Sequence, residues 1–252
     1  MKQRLLNSCN AIKRQLRNCN RNFSNCNLIL ASAIMMMVLA SCDRIYYRPS
    51  QPNMPMFTDK NQGKIGASLS AGEYTSATEL QSAVSVSKHV GLLANYNAID
   101  LSSSSENLFE FGGGYFANIK NNWGYEIYGG LGTGNVKDYD NYRYDNHVTN
   151  IFIQPDIFYT RKHFDFAFTL RFTRVHFRDM IYDDYMGFQD NQNYFFAEPS
   201  MVIAAGWRSF KFKLQSTYSA KLGKNNLTYE NFIIGLGFDV NINKHYDKNN
   251  RE

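Results

Sequence analysis

A two-residue alternation of apolar and polar side chains runs through most of this chain and constrains its fold more than any other feature. In Phe164-Asp165-Phe166-Ala167-Phe168-Thr169-Leu170-Arg171-Phe172, Phe and Leu fall on one face and Asp, Ala, Thr and Arg on the other. Successive side chains of a strand point to opposite sides, so the segment is expected to be a strand with one oily and one polar face. Phe210-Lys211-Phe212-Lys213-Leu214-Gln215 repeats the scheme, and Phe232, Ile234, Leu236, Phe238 and Val240 alternate against Ile233, Gly235, Gly237 and Asp239. Ten such segments lie near 64–72, 78–87, 89–100, 107–118, 122–136, 147–161, 164–177, 193–207, 209–221 and 228–242. No helix of useful length competes, so the class is all-β.

The connections set the topology. Those after even-numbered segments are tight, at Lys88, Lys120–Asn122, Lys162–His163 and Arg208. Those after odd-numbered segments are longer, at Gly72–Ala77, Leu101–Glu106, Val136–Asn146, Arg178–Gln192 and Leu222–Leu227. Short turns at one end and long loops at the other are the pattern of outer-membrane barrels, whose turns lie in the periplasm. The expectation is a closed antiparallel up-and-down transmembrane β-barrel over residues 63–242. It has ten strands, or eight or twelve if one weak hairpin is merged or split. An even count returns the chain to its starting side, which puts the N-terminal anchor and the polar tail 243–252 together in the periplasm.

Alternation alone does not say which face points outward. Gly112, Gly114, Gly124, Gly130, Gly132, Gly134, Gly235 and Gly237 crowd the polar face, where small residues suit a narrow lumen. Trp123, Tyr159, Phe164, Trp207 and Phe210 gather at the turn ends, as in the aromatic belt of a membrane barrel. Both observations turn the polar face inward. Glu110, Glu126, Asp156, Asp165, Arg171, Glu198, Lys211, Lys213 and Asp239 then form an interior charge network. Buried charges must pair, so the lumen is expected to be a salt-bridged plug, its acid excess met by shared protons or a trapped cation. A conducting pore is the lesser reading, since porins use ~16–18 strands.

Ahead of the barrel, Lys2, Arg4, Lys13, Arg14, Arg17 and Arg21 precede an apolar run from Leu28 to Ala40, which ends in Leu39-Ala40-Ser41-Cys42. A basic stretch, a short apolar core and small residues before a cut site mark an export signal. This one resembles the signals cleaved before a lipid-modified cysteine. It implies a signal peptide over 1–41 and acylation, palmitate included, at Cys42. Without those six basic residues, 21 Lys+Arg stand against 22 Asp+Glu, a net charge of −1 in place of +5. A nucleic-acid partner inferred from the whole-chain charge is therefore excluded. Cys9, Cys19 and Cys26 leave with the leader, so no disulfide and no cysteine metal site remain. Residues 42–62 lack a hydrophobic period. Pro49, Pro52 and Pro55 recur every third residue, matching a polyproline II turn and implying a semi-rigid extended tether.

The chain resembles the lipoprotein outer-membrane barrels of Bacteroides-type bacteria. The likeness rests on Cys42, on Arg48-Pro49-Ser50-Gln51-Pro52-Asn53-Met54-Pro55, and on the hairpin from Glu79-Leu80-Gln81-Ser82-Ala83 through Lys88-His89-Val90-Gly91-Leu92 to Ala94-Asn95-Tyr96. Gln154-Pro155 and Glu198-Pro199, each placing a proline in mid-strand on the apolar face, add to it. It implies architecture and a lipid-anchored place in the outer membrane, and no activity.

Chemistry is sparse. Asp138-Tyr139-Asp140 with Asp145-Asn146-His147 are the sharpest catalytic candidates, because ten-stranded outer-membrane proteases activate water with aspartate pairs and an Asp–His pair. Here both pairs fall in one loop rather than across the barrel mouth. His176-Phe177-Arg178 lacks the serine that a lipid A deacylase needs. Tyr139, Tyr142, Tyr144, Tyr182 and Tyr185 sit among aspartates in loops 136–146 and 178–192, an adaptable surface for a protein or glycan partner. No spacing of metal ligands or cofactor motif accompanies them. The leading expectation is a lipid-anchored outer-membrane barrel of non-enzymatic role, in binding or envelope structure. The alternatives are an outer-membrane barrel hydrolase and a lipid-tethered soluble ligand-binding barrel.

Overall fold

The computed structural model of this 252-residue chain describes residues 47–101, 104–138, 145–178, 193–223 and 227–243. The alternating segments form β1 (Gly63–Ala71), β2 (Thr75–Ser85), β3 (Val90–Leu101), β4 (Ser104–Asn118), β5 (Trp123–Asp138) and β6 (Asp145–Thr160). They continue as β7 (Phe164–Arg178), β8 (Asn193–Gly206), β9 (Phe210–Tyr218), β10 (Ala220–Leu222) and β11 (Phe232–Ile242). From β1 to β9 each pairs antiparallel with its sequence neighbour, and β11 pairs antiparallel with β9. β9 and β10 both lie on β8 in one register and make a single stave interrupted at Ser219. β1 closes on β11 from Gly63↔Ile242 to Ala71↔Ile234, which completes a ten-stave barrel. Closure through β8–β9 and β1–β11 removes the long free edges an open sheet would have; among the described strands only the short β10 is paired on one side alone.

Two prolines mark where the ladder opens. Register between β6 and β7 is kept from Ile153↔Phe172 to Asp156↔Thr169 while the Gln154–Pro155 step is unpaired. Between β8 and β9 the same happens at Glu198–Pro199. Proline has no N–H to give. The Thr169 hydroxyl donates instead to the Pro155 carbonyl at 3.0 Å.

The faces divide as the pleat requires. Along β7, Asp165, Ala167, Thr169, Arg171 and Thr173 are buried, and Phe164, Phe168 and Phe172 are exposed. Leu69, Phe111, Leu131, Phe212 and Leu236 are all more than 60% exposed on the outer wall. At the turn end, Trp123 packs on Tyr159 with ring centroids 5.3 Å apart, and Phe210 stacks on Phe238 at 5.5 Å.

Three features differ from the sequence-based expectation. First, residues 72–74 and 102–103 alone separate β1 from β2 and β3 from β4. These two loops are as short as the turns, because β2 and β4 start three residues earlier than expected. Second, the segment expected as an external tether lies inside the barrel from Tyr47 to Phe57, buried throughout. It has no hydrophobic period because no face of it meets water. Third, β1 begins and β11 ends at the turn mouth, as an even count demands, but Tyr47 lies at the opposite, long-loop mouth. There it bridges Tyr229, stacks on Phe196 and joins an apolar cluster with Leu108, Val148, Phe177 and Leu227. The chain before β1 crosses the lumen, so the two termini of the described unit sit at opposite ends.

Candidate functional site

The site this fold builds is the filled lumen. At the long-loop mouth the Tyr47 ring stacks on Phe196 with centroids 4.3 Å apart, and its hydroxyl donates to Glu198 Oε1 at 2.7 Å. Glu198 also accepts from Thr173 Oγ1 at 2.7 Å and lies 3.7 Å from Arg171 Nε. Arg171 forks onto Glu110, which accepts further from Asn150 Nδ2 at 2.8 Å and Asn95 Nδ2 at 3.2 Å. The guanidinium also lies over the Phe152 ring, 4.0 Å from its centroid. Arg48, one residue into the lumen, pairs with Glu79 at 3.2 Å, and its Nη2 donates to Ser70 Oγ.

Deeper in, the wall supplies donors to the backbone of the inner segment. Successive carbonyls of Gln51, Pro52, Asn53 and Met54 accept from Gln81 Nε2 (2.8 Å), Gln215 Nε2 (2.8 Å), Gln154 Nε2 (2.9 Å) and Lys64 Nζ (2.9 Å). Those four donors stand on β2, β9, β6 and β1, so consecutive carbonyls are received from different sides of the barrel. The three prolines reduce the complementary demand, since each removes an N–H that would need an acceptor inside the lumen. At the turn end, Met56 adopts a φ of 56°. The N–H groups of Met56 and Phe57 donate to the two oxygens of Glu126 at 3.1 and 2.7 Å, as adjacent amides do around an anion.

Gly235 faces Gln51, and a Cβ there would overlap the Gln51 amide. Gly91 faces the Phe57 ring, whose atoms a Cβ would meet at 3.2 Å. Inward glycines thus make room for the inner segment as well as for neighbouring wall rings.

All nine charged positions assigned to the interior from sequence are buried. Lys211 pairs with Asp165 at 2.7 Å, and Asp239 is held between Lys64 (2.9 Å) and Lys213 (3.1 Å) across the β1–β11 closure. Asp156 accepts from Gln154 Nε2 at 2.9 Å. Sequence reasoning missed Arg48, Lys64, Glu79, Glu106 and Glu230. Among the described residues five cations and nine carboxyls are buried, and amides receive part of that acid excess. Glu126 takes its two from the inner segment, and Glu230 accepts from Glu73 N and Tyr74 N, both at 3.0 Å.

Of the catalytic candidates, only His147 has a described side chain, and it does not enter the lumen. His147 is exposed on the outer face of β6, opposite Asn135 and Arg178. Asp138 and Asp145 end β5 and begin β6, and only their backbone pairings are described. Cys42, Asp140 and the loop tyrosines lie outside the described residues.

The fold and this site define a closed antiparallel barrel occupied by its own N-terminal segment. No family model and no curated protein matches the chain. Among solved structures it is similar to the N-terminal β-barrel domain of OprF from Pseudomonas aeruginosa, with 13% identity over 73% of this chain and 99% of that one, at a TM-score of 0.37. KdgM porin shares 12% identity over 70% of this chain and 98% of that one, at a TM-score of 0.39. The translocator domain of the autotransporter NalP from Neisseria meningitidis shares 7% identity over 71% and 86%, at a TM-score of 0.35.

Proposed function

We propose that this chain is a lipid-anchored outer-membrane β-barrel lipoprotein whose role is binding or envelope structure at its long-loop face, and not catalysis or conduction. The observation that carries the reading is the inversion of polarity between wall and lumen. Leu69 and Leu236 are about two-thirds exposed while Arg171, Lys211 and Glu198 are sealed inside. In water such an apolar belt far exceeds the few hundred Å² that soluble monomers leave uncovered. In a bilayer it is the hydrocarbon-facing band that a spanning barrel needs. A soluble ligand-binding barrel requires the reverse distribution and an open cavity, whereas residues 47–57 occupy this lumen.

The same segment argues against a transport role. Gln51, Asn53, Met54 and Met56 fill the axis along which ions would move. What is left to present to the surroundings is the long-loop mouth, with its two Tyr/Asp-rich loops. Electrical recording tests this: purified protein inserted in a planar bilayer is expected to give no steady open-channel current. Sustained conductance of porin magnitude from the intact chain would overturn the reading.

A further inference from the structure

We infer that the acyl chains carried by Cys42 enter the leaflet at the long-loop mouth, so that this lipoprotein is anchored from the cell-surface side of its own barrel. The inference rests on the lipidation and outer-membrane readings above. What it adds is direction, and direction comes from the order in which the inner segment meets the wall.

Tyr47 meets the long-loop end, where its carbonyl accepts from Glu230 N at 2.9 Å and its ring stacks on Phe196 near the start of β8. Arg48 meets Ser70 and Thr75, which flank the β1–β2 connection at the same end. Gln51 to Met54 meet mid-strand residues. Phe57 meets Phe116, beside the tight turn after β4, with ring centroids 5.6 Å apart. Immediately afterwards Gln62 N donates to Ser85 Oγ at 2.8 Å, and β1 starts at the turn mouth. The chain therefore runs from the loop mouth to the turn mouth before it enters the wall.

Leu108 belongs to the apolar cluster that holds Tyr47, and the Phe116 ring packs on Phe57. Eight residues of one tilted strand at ~3.3 Å each put these levels roughly 20 Å apart along the axis. Cys42 is joined to Tyr47 by five peptide steps, which reach at most ~18 Å when fully extended. The return path through the lumen is occupied, and the wall is hydrogen-bonded all the way round. An acyl group on Cys42 thus has one leaflet within reach, the one bordering the long loops, which face outward in barrels of this kind.

Thiol labelling on cells expressing the full chain tests the inference, since acylation leaves no free cysteine in the mature protein. Three single variants are compared with a membrane-impermeant maleimide before and after permeabilisation: Ile45→Cys near the lipid, Met186→Cys in a long loop, and Arg208→Cys in a tight turn. The N-terminal peptide is weighed by mass spectrometry in each sample. The expected result is that Ile45→Cys and Met186→Cys label on intact cells, Arg208→Cys only after permeabilisation, and the Cys42 peptide is acylated. If Ile45→Cys labels together with Arg208→Cys, the inference fails while lipidation stands. If Ile45→Cys labels with Met186→Cys but Cys42 is unmodified, the lipidation reading itself fails and the leaflet assignment goes with it.

Discussion

Arg171 on β7 reaches across the lumen to Glu110 on β4, a strand it does not pair with, and forks onto both carboxylate oxygens. A tie between non-adjacent staves braces the barrel against flattening in a way that neighbour-to-neighbour pairs do not.

Removing one partner leaves the other charge buried and unmatched, which costs about 3–5 kcal/mol, more than the pair contributes. Arg171→Met is therefore expected to lower the unfolding midpoint in detergent sharply. The double variant Arg171→Met with Glu110→Gln should recover part of the loss. A double variant as unstable as the sum of the singles would show that the two residues act independently.

Gly235 gives a steric handle on the inner segment. Gly235→Leu places side-chain atoms where the Gln51 amide now lies and is expected to displace the segment, exposing the bond after Tyr47 to chymotrypsin in the folded protein. Gly129→Ala is the control, since a Cβ there meets nothing nearer than the Phe152 carbonyl at 3.6 Å. Equal resistance of both variants would mean that the lumen is looser than described.

Glu126 fixes the turn-side end. Glu126→Ala removes the acceptor of both the Met56 and Phe57 amides, and hydrogen bonds to a charged group are worth about 1.5–3 kcal/mol each. Amide hydrogen exchange at those two residues is expected to accelerate at least tenfold, with little change at Gln51 or Asn53. Uniform acceleration along the whole segment would indicate that it opens as one unit rather than fraying from this end.

The outer face has its own test. Phe168→Arg is expected to cost about 2–4 kcal/mol if position 168 lies near the bilayer midplane, the range for a cation facing lipid there. An Arg at position 169 instead enters the buried network, where Thr169 is fully enclosed, and its penalty should persist in any solvent. A loss at 168 that is the same in detergent micelles and in aqueous denaturant would contradict lipid exposure.

Most of the wall was legible in the sequence. Phe164 to Phe172 alternates without a fault, and the register of each hairpin follows from that pattern together with the tight turns at Lys88 and Arg208. The inner segment was not legible, because period-based reading needs two faces of different polarity, and residues 47–57 are enclosed by the barrel on every side. Clues were present nonetheless. Met54, Met56 and Phe57 are costly on an exposed tether, and the nine lumen charges identified at first carried more acids than bases. Arg48 and Lys64 answer part of that difference, but Glu79, Glu106 and Glu230 widen it again, which is why backbone amides are needed as partners. The lengths of the β1–β2 and β3–β4 connections were overestimated because Ser and Thr at the starts of β2 and β4 read as loop residues. The pleat simply continues through them.

A membrane barrel plugged by its own chain requires two things at once: an outer wall that faces hydrocarbon and a lumen filled by the chain's own residues. Spin-label accessibility in lipid vesicles addresses both at once, with labels placed singly at Leu69, Leu131, Phe168 and Leu236 and at Gln51 and Asn53, and with dissolved oxygen and an aqueous nickel chelate as collision partners. The four wall positions should collide freely with oxygen and hardly at all with nickel, while positions 51 and 53 are shielded from both. Ready collision of nickel with the wall positions, or with positions 51 and 53 as on an external tether, would contradict the account.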